Sequence, residues 1–162
     1  MAAGGPASEL IMFIVAILVA GSVAGALAYV TNDIAQGISD NGAMLANKLR
    51  TDFAIINDPN NIPHSNLSKT PVNYTFYIKN IGDTVIPFTS NAVQVMINGV
   101  LIPPSNLTFL DPYATTEITK LPPYAVGAIN VTLGTPLTSN DTYTLTVVLE
   151  NGKKRTFIFK AP

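Results

Sequence analysis

Catalysis near neutral pH needs groups that titrate, attack or ligate, and this chain holds few of them. His64 is its single histidine and cysteine is absent. That excludes thiolate nucleophiles, disulfides, Cys-ligated metals and multi-histidine metal sites. His64 has no second His or acid at ligand spacing, so it reads as a surface histidine. Asp58 with Asn57, Asn60 and Asn61 offers oxygen donors, but without calcium-loop spacing; Asn/Asp clusters of this kind make turns. Lys153-Lys154-Arg155 is too short a basic run for a binding patch and reads as the solvated start of a strand. No Ser/His/Asp set, phosphate loop or paired-carboxylate site emerges. The expectation is a protein that is not an enzyme, with no cofactor and no metal. Nine basic residues against ten acidic ones leave a net charge of −1, which provides no electrostatic footprint for nucleic acid.

One chemistry-bearing triplet does recur. Asn-x-Ser/Thr, the acceptor for N-linked sugar, occurs at Asn66, Asn73, Asn106, Asn130 and Asn140. All five lie in the second part of the chain. Such density, on a surface of uncharged polar residues, points to a domain outside the cytoplasm.

The elements that must position these residues divide near residue 57. Only 12% of the 162 residues are charged and 48% are apolar, and the charge deficit calls for a membrane segment, an uncharged polar surface, or both. Pro6 is the only proline before Pro59, as expected of a long helix followed by strands and loops. Leu10 to Thr31 holds no charged residue and as a helix spans about 33 Å, enough to cross a hydrocarbon core of roughly 30 Å. The run is too long for a cleaved signal and has no basic region before it, so a retained transmembrane helix is expected. Gly21-x-x-x-Gly25 and the small residues Ala16, Ala20, Ala24 and Ala28 recur at every fourth position, a pattern that lets helices pack closely within lipid. Beyond Asn32-Asp33, the residues Ile34, Ile38, Leu45, Leu49, Phe53 and Ile56 continue at helical spacing as one apolar stripe. The helix is therefore predicted to run as a stalk to Ile56, where Asn57-Asp58-Pro59 stops it. At its start Glu9 has two readings. Ser8 caps the helix and Glu9 favours its positive end, or the Glu9 carboxylate pairs with a neighbouring subunit's terminal amine.

Residues 70–162 read as all-β. Val72, Tyr74, Phe76 and Ile78 alternate with polar partners, and Val93, Val95 and Ile97 alternate again. Thr84–Phe88, Thr115–Thr119, Ala128–Leu133, Tyr143–Glu150 and Lys153–Phe159 are further strands. Asn98-Gly99 and Asn151-Gly152 are type I′ hairpin signals. Seven or eight short strands make the fold class α+β, a long N-terminal transmembrane and stalk helix followed by an immunoglobulin-like sandwich. The organisation is helix and stalk over 1–56, linker over 57–69 and sandwich over 70–162.

A membrane helix extended as a stalk into an exported sandwich resembles the type IV pilin-like proteins, whose helices bundle into a filament core. More narrowly, Ser8-Glu9-Leu10-Ile11-Met12-Phe13-Ile14, the Ala/Gly-rich helix, Lys48-Leu49-Arg50-Thr51-Asp52-Phe53-Ala54-Ile55-Ile56-Asn57-Asp58-Pro59 and Tyr77-Ile78-Lys79-Asn80-Ile81-Gly82 resemble the archaellum accessory protein G family. The resemblance implies a non-catalytic part of the archaeal swimming motor. It implies a homo-oligomer held through its helix in the cell membrane, with membrane lipid around one span and the C-terminal domain outside. Its implied partners are the related accessory protein F and the surface layer that F binds, the assembly serving as a stator. An archaellin or pilus subunit and a membrane-tethered ligand- or glycan-binding sandwich are the alternatives. Met1 to Pro6 forms no basic leader, so a native start at Met1 or Ala2 is expected of the stator and a cleaved start of a filament subunit.

Overall fold

The computed structural model describes residues 5–114 and 116–162. Among the described residues one α-helix, α1 (Gly5–Arg50), is followed by a single 3-10 turn (Pro104–Asn106) and ten strands: β1 (Phe53–Ile55), β2 (Val72–Asn80), β3 (Ile86–Pro87), β4 (Val93–Ile97), β5 (Val100–Leu101), β6 (Leu107–Leu110), β7 (Lys120–Leu121), β8 (Val126–Leu133), β9 (Thr142–Leu149) and β10 (Lys154–Lys160). The chain divides into two compact units, Met1–Met44 and Leu45–Pro162.

The first unit is helical throughout its described residues, and α1 is long and apolar enough to cross a membrane. No described residue of α1 is buried within the single chain. Ser8 is not the cap: the helix is already formed at Gly5, and the Ser8 hydroxyl donates back to the Gly5 carbonyl at 3.0 Å.

In the second unit, two antiparallel sheets of order β1-β2-β8-β6 and β10-β9-β4-β5 enclose one apolar core, with β3 and β7 pairing separately. Alternation decides which side chains go inside. Val72, Tyr74, Phe76 and Ile78 of β2 and Val93, Val95 and Ile97 of β4 are buried, whereas Asn73, Lys79 and Gln94 are exposed. Phe76 meets Phe159 edge-on at a centroid distance of 5.3 Å, and Phe88 meets Phe109 at 4.9 Å. Gly127 is required where it stands, because a Cβ there would lie 2.5 Å from the Phe88 ring. The β4–β5 hairpin turns on Asn98 and Gly99, both at positive φ (49° and 80°), as a type I′ turn demands. The β9–β10 hairpin departs from that expectation. Only Gly152 has positive φ (75°), and the Gly152 N–H donates to the Leu149 carbonyl, which is a longer loop closed by one glycine.

Four further expectations are corrected. The helix ends at Arg50, not Ile56, and residues 53–55 form a strand paired with β2 in the register Phe53↔Asn80, Ala54↔Lys79, Ile55↔Ile78. Phe53, placed by its spacing on the stalk stripe, is fully buried in the sandwich core. Residues 57–69 are no free linker. Ile62 is fully buried, the Asn57 amide donates to the Thr75 carbonyl and accepts from the Tyr77 N–H, and the Pro63 carbonyl accepts from the Thr75 N–H. The segment continues the edge that β1 begins. Of the strand expected over 115–119, Thr115 lies outside the described residues, Glu117 makes a single bridge to Leu110, and regular pairing begins only at β7.

Candidate functional site

Two of the segments that carry the family resemblance, Lys48–Pro59 and Tyr77–Gly82, are packed against each other. The last turn of α1 leaves orphan carbonyls, and a tight turn after β2 supplies a donor to the one at Arg50 and two more to the residue pair that follows. The Asp83 N–H donates to the Arg50 carbonyl at 3.0 Å, and the Ile81 and Gly82 N–H groups donate to the Asp52 carbonyl at 3.0 and 3.1 Å. Lys48 and Arg50 in the last turn complement the helix dipole. Thr51 closes the helix by donating N–H and hydroxyl to the Asn47 carbonyl, and its hydroxyl also meets that of Thr84 at 2.8 Å.

Gly82 is needed here for lack of bulk: a Cβ at this position would run into the Arg50 carbonyl and approach the Asp52 nitrogen to 2.5 Å. Asn80 holds the turn's shape. It is fully buried, its amide NH2 donates to the Thr84 and Leu121 carbonyls, and its amide oxygen accepts from the Gly82 N–H.

A charge lock closes the other side. The Arg155 guanidinium donates from Nη2 to both Asp52 carboxylate oxygens at 2.8 Å and from Nε to the Phe53 carbonyl at 3.2 Å, so β10 is tied to β1. Lys153 Nζ lies 3.6 Å from the same carboxylate. Partial burial pushes the Asp52 carboxyl pKa upward. The Arg155 hydrogen bond, the Phe53 N–H and the charges of Arg155 and Lys153 outweigh it and hold the group below the ordinary carboxylate value. Nearby, the Tyr124 hydroxyl donates to Asp83 at 3.1 Å, and that bond and the Asp83 charge raise the phenol pKa.

The residues expected to mediate helix assembly divide into two groups. Ala16, Ala20, Gly21, Ala24, Gly25, Ile34, Ile38, Leu45 and Leu49 all lie on α1 and are exposed. Nothing comes within 4 Å of a Cβ built at Gly21 or Gly25. Phe53 belongs to the core, and Ile56 follows β1 half-exposed at 48%. Glu9 is exposed on α1, and the terminal amine expected to face it lies outside the described residues. His64 is exposed, with Nδ1 2.9 Å from the Ile62 carbonyl. Asn66, Asn73 and Asn140 are exposed, while Asn106 and Asn130 are half-buried.

Arg155 is the residue that sequence reasoning missed. Its basic neighbours suggested a solvated strand start, and its partner stands 103 positions away.

The family model for archaeal-type flagellin matches residues 2–159. The chain belongs to the archaeal-type flagellin family. It is 40% identical over 95 residues to flagella-related protein G of Methanocaldococcus jannaschii, covering 59% of this chain and 60% of that one. It is 29% identical over 150 residues to flagella-related protein G of Methanococcus voltae, covering 93% of each. It is also similar to two solved structures from Sulfolobus acidocaldarius. The archaellum periplasmic stator protein FlaG matches at TM-score 0.46 and 24% identity, over 67% of this chain and 99% of that one. The stator complex of FlaF and FlaG matches at TM-score 0.40 and 25% identity, over 60% and 84%. The aligned stretch thus spans three fifths of the first relative's length and nearly all of the second's.

Proposed function

We propose that this archaeal-type flagellin family member is a non-catalytic structural component of the archaellum, held in the cell membrane by one helix and serving in the stator. Its sandwich stands outside the membrane and pairs with accessory protein F, which contacts the surface layer. The names of its two relatives and the two motif segments support the assignment to protein G. The observation that carries the mechanism is the contrast between the two ends of α1. Its apolar length has no buried residue in the single chain, while its last turn is capped by main-chain bonds from the sandwich. Large apolar side chains left in water are costly, each worth roughly 1.5–3 kcal/mol when buried. Within lipid, small residues at Gly21 and Gly25 let neighbouring helices approach, and beyond it Ile34, Ile38, Leu45 and Leu49 are covered by the same neighbours.

The test is a strain carrying Leu45→Asp with Leu49→Asp, and a second carrying Gly21→Ile with Gly25→Ile. Both proteins are expected to reach the membrane with the sandwich folded, to lose the oligomer on native gels, and to abolish swimming. Retained oligomer size and motility in both strains would overturn the reading.

The family match itself favours a second reading, a filament subunit. Mass spectrometry of the native N-terminus separates the two: a start at Met1 or Ala2 supports the stator component, and a cleaved start the filament.

A further inference from the structure

The five Asn-x-Ser/Thr triplets are not equivalent once folded, and we propose that Asn66 and Asn140 carry N-linked oligosaccharide while Asn73 and Asn130 form a structural pair. The proposal rests on the reading that the sandwich lies outside the membrane.

Asn73-Tyr74-Thr75 and Asn130-Val131-Thr132 sit on neighbouring antiparallel strands whose register opposes Asn73 to Thr132 and Thr75 to Asn130. The Thr132 hydroxyl donates to Asn73 Oδ1 at 2.8 Å, and the Thr75 hydroxyl donates to Asn130 Oδ1 at 2.7 Å. Each triplet's hydroxyl is thus engaged by the other triplet's amide. Cross-strand polar pairs of this kind stabilise a sheet face, which accounts for both triplets without any sugar. Glycan transfer needs a triplet that can bend so that its amide and hydroxyl reach the transferase together, and a strand bonded along its length cannot bend. Asn106 is half-buried, and its Leu107 and Thr108 both belong to β6.

The remaining two triplets lie differently. Asn66 is exposed in a turn, its Oδ1 accepting from the Ser68 N–H at 2.9 Å and its carbonyl accepting from Lys69. Asn140 is exposed at φ 67° just before β9. Its N–H donates to the Ala161 carbonyl, the Asp141 carbonyl accepts from the Ala161 N–H and Thr142 opens β9, so the triplet sits at a strand end. Its Nδ2, however, reaches only the adjacent Ser139 hydroxyl at 3.3 Å, and no second triplet's amide engages it. Strand directions put both at one end of the sandwich. Asn66 precedes the start of β2, and Asn140 precedes β9, whereas the turn that caps Arg50 follows the other end of β2. In the transfer, Asn Nδ2 bonds to C1 of the first sugar of a lipid-phosphate-linked oligosaccharide. The C1–O bond to the phosphate breaks, the lipid phosphate leaves with the electron pair, and a carboxylate of the transferase takes the amide proton.

The experiment uses full-length protein from native membranes. A membrane-impermeant amine reagent on intact cells first reports the side on which Lys154 and Lys160 lie, and peptide mass spectrometry then reads each asparagine. The expected result is labelled lysines, glycan mass on the Asn66 and Asn140 peptides, and bare Asn73 and Asn130. Asn66→Gln and Asn140→Gln should each remove one step of gel mobility, and Asn73→Gln should leave mobility unchanged while lowering the melting temperature. Labelled lysines with bare Asn66 and Asn140, or glycan on Asn73 or Asn130, would overturn this proposal alone. Unlabelled lysines together with bare asparagines would overturn the topology as well.

Discussion

At the scale of single residues, the Asp52–Arg155 pair ties the helix end to the last strand. The folded Asp52 carboxyl titrates below its ordinary value. Its contribution is therefore complete above the unfolded value of about 3.9 and is lost as pH falls through the folded value. Thermal melts of the full chain in detergent are expected to show this loss of stability as pH falls below about 4. An Asp52→Asn variant should show a smaller acid dependence and a lower plateau near neutrality. An unchanged acid limb in that variant would assign the effect to other carboxylates. Arg155→Ala is expected to cost about 1 kcal/mol near neutral pH, since a partly exposed pair is screened by solvent even with good geometry. None of this was readable locally. Lys153-Lys154-Arg155 looks solvated until β10 is set beside β1. The segments around Asp52 and Gly82 stood out through their family resemblance, not through any signal that they touch.

Among the elements, the turn over Asn80–Asp83 does for α1 what a C-cap sequence does elsewhere. Gly82→Ala forces a Cβ into the Arg50 carbonyl, and the expected loss is about 2 kcal/mol, the range of close-packed backbone clashes. Urea denaturation of the detergent-solubilised protein measures it, and a variant as stable as the parent would show that the turn is not tight. Strands were readable where alternation was sustained. β2, β4 and β9 follow the period of two, β8 and β10 are apolar runs between turn signals, and Asn98-Gly99 announced its hairpin. β1 was hidden because Leu49, Phe53 and Ile56 keep helical spacing, so the periodic pattern crossed a boundary that tertiary contacts impose. β6 has four residues, too few for a periodic signal between turn-rich segments.

For the molecule as a whole, the division into helix and sandwich was visible in proline placement and charge distribution, but its position was not. The sandwich includes β1, the fully buried Phe53 and the clamp of Asn57 on β2. A fragment starting at Leu45 is therefore expected to fold on its own, with the β-sheet circular dichroism and sharp melt of a two-sheet domain. A fragment starting at Asn57 loses Phe53, a deletion on the scale of Phe→Ala at about 3–5 kcal/mol, and is expected to be largely unfolded at 37 °C. Equal melting temperatures for the two fragments would place the boundary back at residue 57.

The cap on Arg50 also has a history in time. A chain is made from its N-terminus, and domains take shape as their segments emerge. The Asp83 amide that caps Arg50 and the Ile81 and Gly82 amides that hold Asp52 arrive about thirty residues after the carbonyls they bind, and Arg155 arrives 103 residues after Asp52. During that interval nothing competes with the spacing that runs through Leu49, Phe53 and Ile56. The bond that caps Arg50 can form only after Asp83 has been made, and the Asp52–Arg155 lock only after the C-terminal hairpin has been made.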